Sequence, residues 1–199
     1  MKWLAAIIES TLAILLAVAP AVGGASETMS VPPAYRTVGE AMRVPPAVLY
    51  AVALTESKLE LPGGRIRPWP WTLNVAGRGE RYGSRSAAVR ALMNHLGTGN
   101  RRVDVGLMQV NWGWHARLLK DPRRALDPWF NLAAGAKVLK REYARTGDWM
   151  EAVGRYHAGS PDTPARKRRA DRYRRRVAAW LERLGGLTID TQIAPTDAN

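Results

Sequence analysis

From Val44 to Thr55 the chain carries no charge, and this apolar run ends on Glu56. Pro45 and Pro46 suit the first turn of a helix, where a missing N–H costs nothing. The pattern predicts a helix over residues 47–57. In it Leu49, Val52, Ala53 and Glu56 follow i, i+3, i+4, i+7 spacing, so the carboxylate continues an inward-facing stripe. Leu61-Pro62 disfavours further helix, and Gly63-Gly64 confirms the break. Over residues 65–82 the period changes to two. Trp69, Trp71, Leu73 and Val75 alternate with other residues, and Gly77 and Gly79 punctuate the segment, which predicts a short hairpin. Ser84 or Ser86 caps a helix that runs to about Leu96 and ends at Gly97. Val103-Asp104-Val105 reads as a short extended piece.

The second half is helical. Asp121-Pro122 and Asp127-Pro128 are both cap-plus-proline starts. Leu132, Ala136, Leu139 and Tyr143 form one face of the helix that follows. Asp148 with Glu151 resembles a capping box and opens another helix, closed by Gly159 and Pro161. In a last helix Val177, Trp180, Leu181 and Leu184 form the inner face, and Tyr173 extends it. No internal repeat is visible.

The ends read differently. Lys2, an apolar stretch interrupted at Glu9 to Thr11, and small residues near Ala21 and Ala25 fit a secretory signal peptide over residues 1–25. Its uninterrupted apolar part is well short of the ~20 residues a membrane span needs, and no later segment spans a bilayer. Residues 26–44 read as a linker, 45–184 as one domain, and 185–199 as a loose tail. Hydrophobic residues at 46% and charged residues at 24% place the chain in the globular class. The absence of Cys excludes a thiol nucleophile, a disulfide framework and thiolate metal sites. The net charge of +13 favours anionic partners: nucleic acid, acidic lipid or an anionic cell wall. Eight of the basic residues lie between Ala165 and Arg176, read either as a solvated helix face or as an electrostatic docking surface.

Glu56 is the main candidate for chemistry. A carboxyl at the end of an apolar helix loses solvation, which raises its pKa and keeps it protonated, as a general acid for glycosidic cleavage must be. The alternative is an acid at a helix end that reaches water. A second cluster runs from Val103 to Trp112. Asp104 is a candidate second carboxylate, Gly106 permits a turn or close approach, and Gln109 and Asn111 are amides among apolar neighbours. On its own this cluster also fits a strand-to-helix junction. His95, His115 and His157 lack metal-ligand spacing, so no metal site is expected. Ser57 lies outside any nucleophile elbow, no phosphate loop appears, and no nucleic-acid module supports nucleic-acid binding.

Five motifs in order resemble the soluble, lysozyme-like lytic transglycosylases. Glu56-Ser57 is similar to their E-S motif, and Gly106-Leu107-Met108-Gln109 with Asn111 to G-L-M-Q. Asp127-Pro128, Asn131 and Ala134-Gly135 are similar to D-P-x-x-N-x-x-A-G, and Tyr156-His157-Ala158-Gly159 to A-Y-N-A-G. Tyr173 with Val177 resembles the closing tyrosine motif. There are departures: His157 stands where the family usually has Asn, and Arg155 where it usually has Ala. Residues 65–97 look like an inserted lobe. Asp104-Val105-Gly106 also resembles a segment of animal-type lysozymes, in which the Asp assists catalysis.

The resemblance implies a mainly α, lysozyme-like fold with a small β-hairpin lobe. It implies Glu56 as catalytic acid and base, and Ser57, Met108, Gln109, Asn111, Tyr156 and Tyr173 as substrate-binding residues. The substrate implied is the peptidoglycan glycan strand, cut at the MurNAc–GlcNAc β-1,4 bond to leave 1,6-anhydroMurNAc, without a cofactor. The periplasm or cell envelope is the compartment implied. A small exported member is expected to open the wall locally for a secretion, conjugation or pilus machine. Two rivals stay open: a hydrolytic muramidase using Glu56 and Asp104, and a non-catalytic basic protein that binds the wall or nucleic acid.

Overall fold

A computed structural model describes residues 29–185. The signal-peptide reading of residues 1–25 and all but the first residue of the expected tail lie outside them. Eight helices and six short strands are described, so the architecture is mainly α with a small β lobe.

The centre of the core is α2 (Pro46–Ser57), entered through two prolines. It is buried on every side from Val48 to Thr55 rather than along one stripe, because helices close around it. One of these is α1 (Pro33–Met42), and here the expected linker over residues 26–44 is corrected. Pro33 sits in the first helical turn, Tyr35 and Val38 are buried, and the Tyr35 ring lies 4.7 Å from that of Tyr50. Prolines that read as linker composition thus open a helix whose apolar residues pack against α2.

Residues 58–82 form two hairpins instead of the one expected. β1 (Lys58–Glu60) pairs with β2 (Ile66–Pro68), and β3 (Thr72–Val75) pairs with β4 (Arg78–Arg81), both antiparallel. β3 also pairs with β5 (Val103–Val105), which pairs with β6 (Val110–Asn111), giving the strand order β4-β3-β5-β6. The lobe is therefore continuous with the strand that carries Asp104. Between the hairpins and β5 runs α3 (Arg85–Gly97), capped by Ser84, whose hydroxyl accepts from the Ala87 N–H.

The expected proline-led starts appear as α5 (Pro122–Ala125) and α6 (Pro128–Thr146), with Asp121 and Asp127 accepting from backbone N–H groups of their first turns. A short α4 (Trp112–Leu119) precedes them. Asp148 caps α7 (Trp149–Ala158), and Thr163 caps α8 (Pro164–Arg183). α7 packs between α6 and α8, and α8 lies along α2. Tyr173, Val177, Trp180, Leu181 and Leu184 are buried, as the helical spacing requires.

Candidate active site

A cleft of about 580 Å³ opens between the sheet and the helices, within the range of small-ligand sites. Asn74, Asp104, Gln109 and Asn111 line it from the sheet side, and Tyr156, His157, Ser160, Arg166 and Arg169 from α7, α8 and the turn between them. Glu56, in the last turn of α2, also lines it, with its side chain 15% exposed.

Two side chains reach Glu56, and two further hydrogen bonds hold the helix end that carries it. The Tyr173 hydroxyl, buried on α8, donates to Oε1 at 2.6 Å. Nδ1 of His157 lies 4.0 Å from the same oxygen, and the His157 ring stacks on Tyr173 with 4.3 Å between centroids and 2° between planes. Arg176 donates to the Thr55 carbonyl at 3.0 Å, satisfying one of the last carbonyls of α2. The Ser57 hydroxyl donates to the Leu107 carbonyl at 2.7 Å, pinning the helix end to the turn that follows β5.

Burial dominates the electrostatics of Glu56 and pushes its pKa up to about 7. The Tyr173 hydrogen bond opposes this, Asp104 reinforces it, and Arg176 opposes it. The neutral carboxyl is thus held at a pH where an exposed Glu is ionised. Asp104 is also raised, by burial, although Asn111 donates to its Oδ1 at 2.7 Å. His157 is lowered by burial first, then by Arg176, Arg169 and Arg172.

The turn Gly106–Gln109 is clamped by α6. Asn131, fully buried, accepts from the Met108 N–H at 2.9 Å and donates to the carbonyls of Val105 at 2.8 Å and Ala125 at 3.0 Å. Gly106 has φ 81°, and a Cβ there would lie 2.5 Å from the Asn131 side chain. A Cβ at Gly135 would lie 2.5 Å from the Met108 side chain. Both close approaches require glycine. Gln109 takes φ 46°, and its amide nitrogen donates to the carbonyls of Thr72 at 3.1 Å and Gly106 at 2.8 Å.

The sequence-derived site residues therefore divide. Glu56, Asp104, Gln109, Asn111 and Tyr156 share the cleft wall. Tyr173 stands behind Glu56, and the Tyr156 hydroxyl braces the turn by donating to the Met108 carbonyl at 2.6 Å. Ser57 and Met108 have no exposed surface, and the expectation that they bind substrate is corrected: they hold α2, the turn and α6 together. The basic run also divides. Arg166 and Arg169 line the cleft, and Arg174 pairs with Glu151 and Asp171. Arg176, expected in solvent, instead binds the Thr55 carbonyl.

Sequence reasoning missed several residues of the cleft wall. Glu142 is 7% exposed and pairs with Arg145 at 2.5 Å, Arg155 at 3.0 Å and Arg141 at 3.4 Å. The departure at Arg155 was its one visible signal. Asn74, opposite Asp104 in the β3–β5 register, has Oδ1 buried without a partner among the described residues. Trp114, at the rim, is 86% exposed, whereas Trp112 beside it is buried.

Comparison with curated proteins and with solved structures yields no match. Among described residues no helix is long and apolar enough to cross a membrane. Residues 80–180 match the family model described as Transglycosylase SLT domain, a span that takes in Asp104, the clamped turn, α6, α7 and most of α8 but begins after Glu56. With just over half the chain matched and a mainly α, lysozyme-like fold, the protein belongs to the SLT-domain family of transglycosylases, enzymes that act on peptidoglycan.

Proposed function

We propose that the protein is a lytic transglycosylase that cuts the MurNAc–GlcNAc β-1,4 bond and leaves 1,6-anhydroMurNAc, with Glu56 as both acid and base. The observation that carries this reading is a carboxyl with a pKa near 7, held by Tyr173 in the wall of the cleft. Glu56 donates its proton to the glycosidic oxygen, the C1–O bond breaks, and the GlcNAc alcohol departs. Positive charge develops at C1, and the newly ionised Glu56 lies close enough to stabilise it. The C6 hydroxyl of the same MurNAc then attacks C1, and its proton passes to Glu56. No water is consumed and the enzyme returns to its starting protonation state. Because the nucleophile belongs to the substrate, the paired carboxylates of an ordinary glycosidase are unnecessary. Tyr173 orients Glu56, while Gln109, Asn111 and Tyr156 shape the sugar site.

The periplasmic side of the envelope is the proposed location, and a local opening of the wall for a secretion, conjugation or pilus machine is the proposed task. Both rest on the resemblance of the chain to small exported transglycosylases. A second reading, hydrolysis with Asp104 as partner carboxylate, is favoured by the presence of Asp104 in the same cleft. Glu56→Gln tests the role common to both. It keeps the shape and removes the proton donor, so release of soluble fragments from purified sacculi falls roughly 10²–10⁴-fold. Near-normal digestion by this variant would end the assignment of Glu56.

A further inference from the structure

The helix wall of the cleft carries more positive charge than its neighbours answer. Arg155 is matched by Glu142, and Arg166 by Asp162, whose two oxygens lie 2.8 and 2.9 Å from one guanidinium nitrogen. Arg169, one turn further along α8, also lines the cleft and has neither an acidic partner nor a side-chain hydrogen bond among the described residues. Its charge reaches inward: with Arg176 and Arg172 it disfavours the protonated form of His157, which lines the same cleft. Beside it the α7–α8 turn stays open. Gly159 takes φ 72° and ψ −159°, a region essentially reserved for glycine, and a Cβ there would meet nothing within 4 Å. Ser160, in the same turn, adds a hydroxyl to the cleft lining.

The neutral sugar rings offer such a wall hydrogen-bond acceptors but no counter-charge. The anions of a peptidoglycan strand are the carboxylates of the peptides attached to MurNAc. A guanidinium is the side chain best matched to a carboxylate, through two parallel N–H donors.

We propose that the wall formed by Ser160, Arg166 and Arg169 binds a stem-peptide carboxylate on the MurNAc seated beside Glu56, which makes the enzyme selective for strands whose peptides keep a free carboxylate. This rests on the peptidoglycan-cleaving reading and names the part of the substrate that the cleft distinguishes. Arg169 supplies the free charge. Arg166 is shared with Asp162 and turns toward the ligand without leaving its own helix.

The test separates binding from cleavage. Glu56→Gln protein is titrated with uncross-linked glycan strands, either intact or with their peptide carboxylates converted to primary amides, and the Kd is read by calorimetry. Intact strands should bind about three- to tenfold more tightly, the span expected for a partly exposed charge-assisted pair. Adding Arg166→Gln and Arg169→Gln should abolish the difference, and raised salt should shrink it. Lys167→Gln, on the same helix but outside the cleft, should preserve it. Equal affinity for both strands, a preference that survives the double replacement, or one lost equally with Lys167→Gln would each overturn the proposal. Failure of the cleavage reading would look different: wild-type protein would cut neither strand, whatever its binding preference.

Discussion

The His157 ring lies flat on the Tyr173 ring, 2° from parallel, and both side chains address the same oxygen of Glu56. Tyr173 donates to it at 2.6 Å, and His157 approaches it to 4.0 Å. The pair lets one carboxyl be oriented by a neutral donor while a titratable group stands beside it. Burial first, and then Arg176, Arg169 and Arg172 on α8, push the His157 pKa below its ordinary range.

The pH profile follows from this arrangement. Activity requires protonated Glu56, so kcat/KM should fall as pH rises through about 7. His157, its pKa lowered from an ordinary 6.5 by burial and then by Arg176, Arg169 and Arg172, gains its proton at a lower pH than Glu56 does. Falling pH therefore charges His157 only after Glu56 is protonated, and the general acid is kept. His157→Asn keeps an amide in place of the ring and deletes that charge, so kcat/KM on the acid side should match wild type. An acid-side loss in wild type that the variant lacks would show that a charged His157 impairs the reaction by another route.

Tyr173→Phe keeps the ring stacked on His157 and removes only the donor. Losing a hydrogen bond to the charged form of Glu56 moves its pKa further up, so the alkaline limb should shift to higher pH. kcat should fall roughly ten- to hundredfold, the range for removing one hydrogen bond to a charged group. A drop in kcat with no movement of the limb would leave Tyr173 a packing role alone.

Glu56 also costs stability. Its pKa is raised from an ordinary 4.5 to about 7, so the penalty is absent below the unfolded value and grows as pH rises through the folded one. Glu56→Gln, which still accepts from Tyr173, should unfold like wild type at pH 4. Above pH 7 it should be more stable, by up to roughly 3 kcal/mol. Urea denaturation at the two pH values measures this, and a difference independent of pH would contradict the burial account.

The clamp on the turn should be the fold's sensitive point. Asn131→Ala leaves one buried N–H and two buried carbonyls without their partner. At about 1–3 kcal/mol for each orphaned group, the cost should reach roughly 3 kcal/mol or more. Gly135→Ala should cost about 1–3 kcal/mol by overpacking Met108. Thermal melts of both variants check the ranking.

The sequence made Glu56 legible because an uncharged run led straight to it. It made Tyr173 legible because Val177, Trp180 and Leu184 mark the buried face of α8. Ser57 and Met108 misled because a motif records which residues recur without saying which way they face. Both point into the core, where Leu107 and Gly135 meet them. The helix over residues 33–42 was hidden by prolines, and its few apolar positions gain meaning only against α2. Glu142 was signalled only by the unusual Arg155, because packing alone brings that residue of α7 to α6.

Ring closure by the substrate's own hydroxyl is the central claim, and the fate of water decides it. Sacculi digested by the wild-type protein in water enriched in heavy oxygen, then analysed by mass spectrometry, give the answer directly. The account predicts muropeptides lighter by one water than hydrolysis products, with no solvent oxygen at C1. Reducing-end products carrying one solvent oxygen, abolished by Asp104→Asn, would contradict it and establish a muramidase.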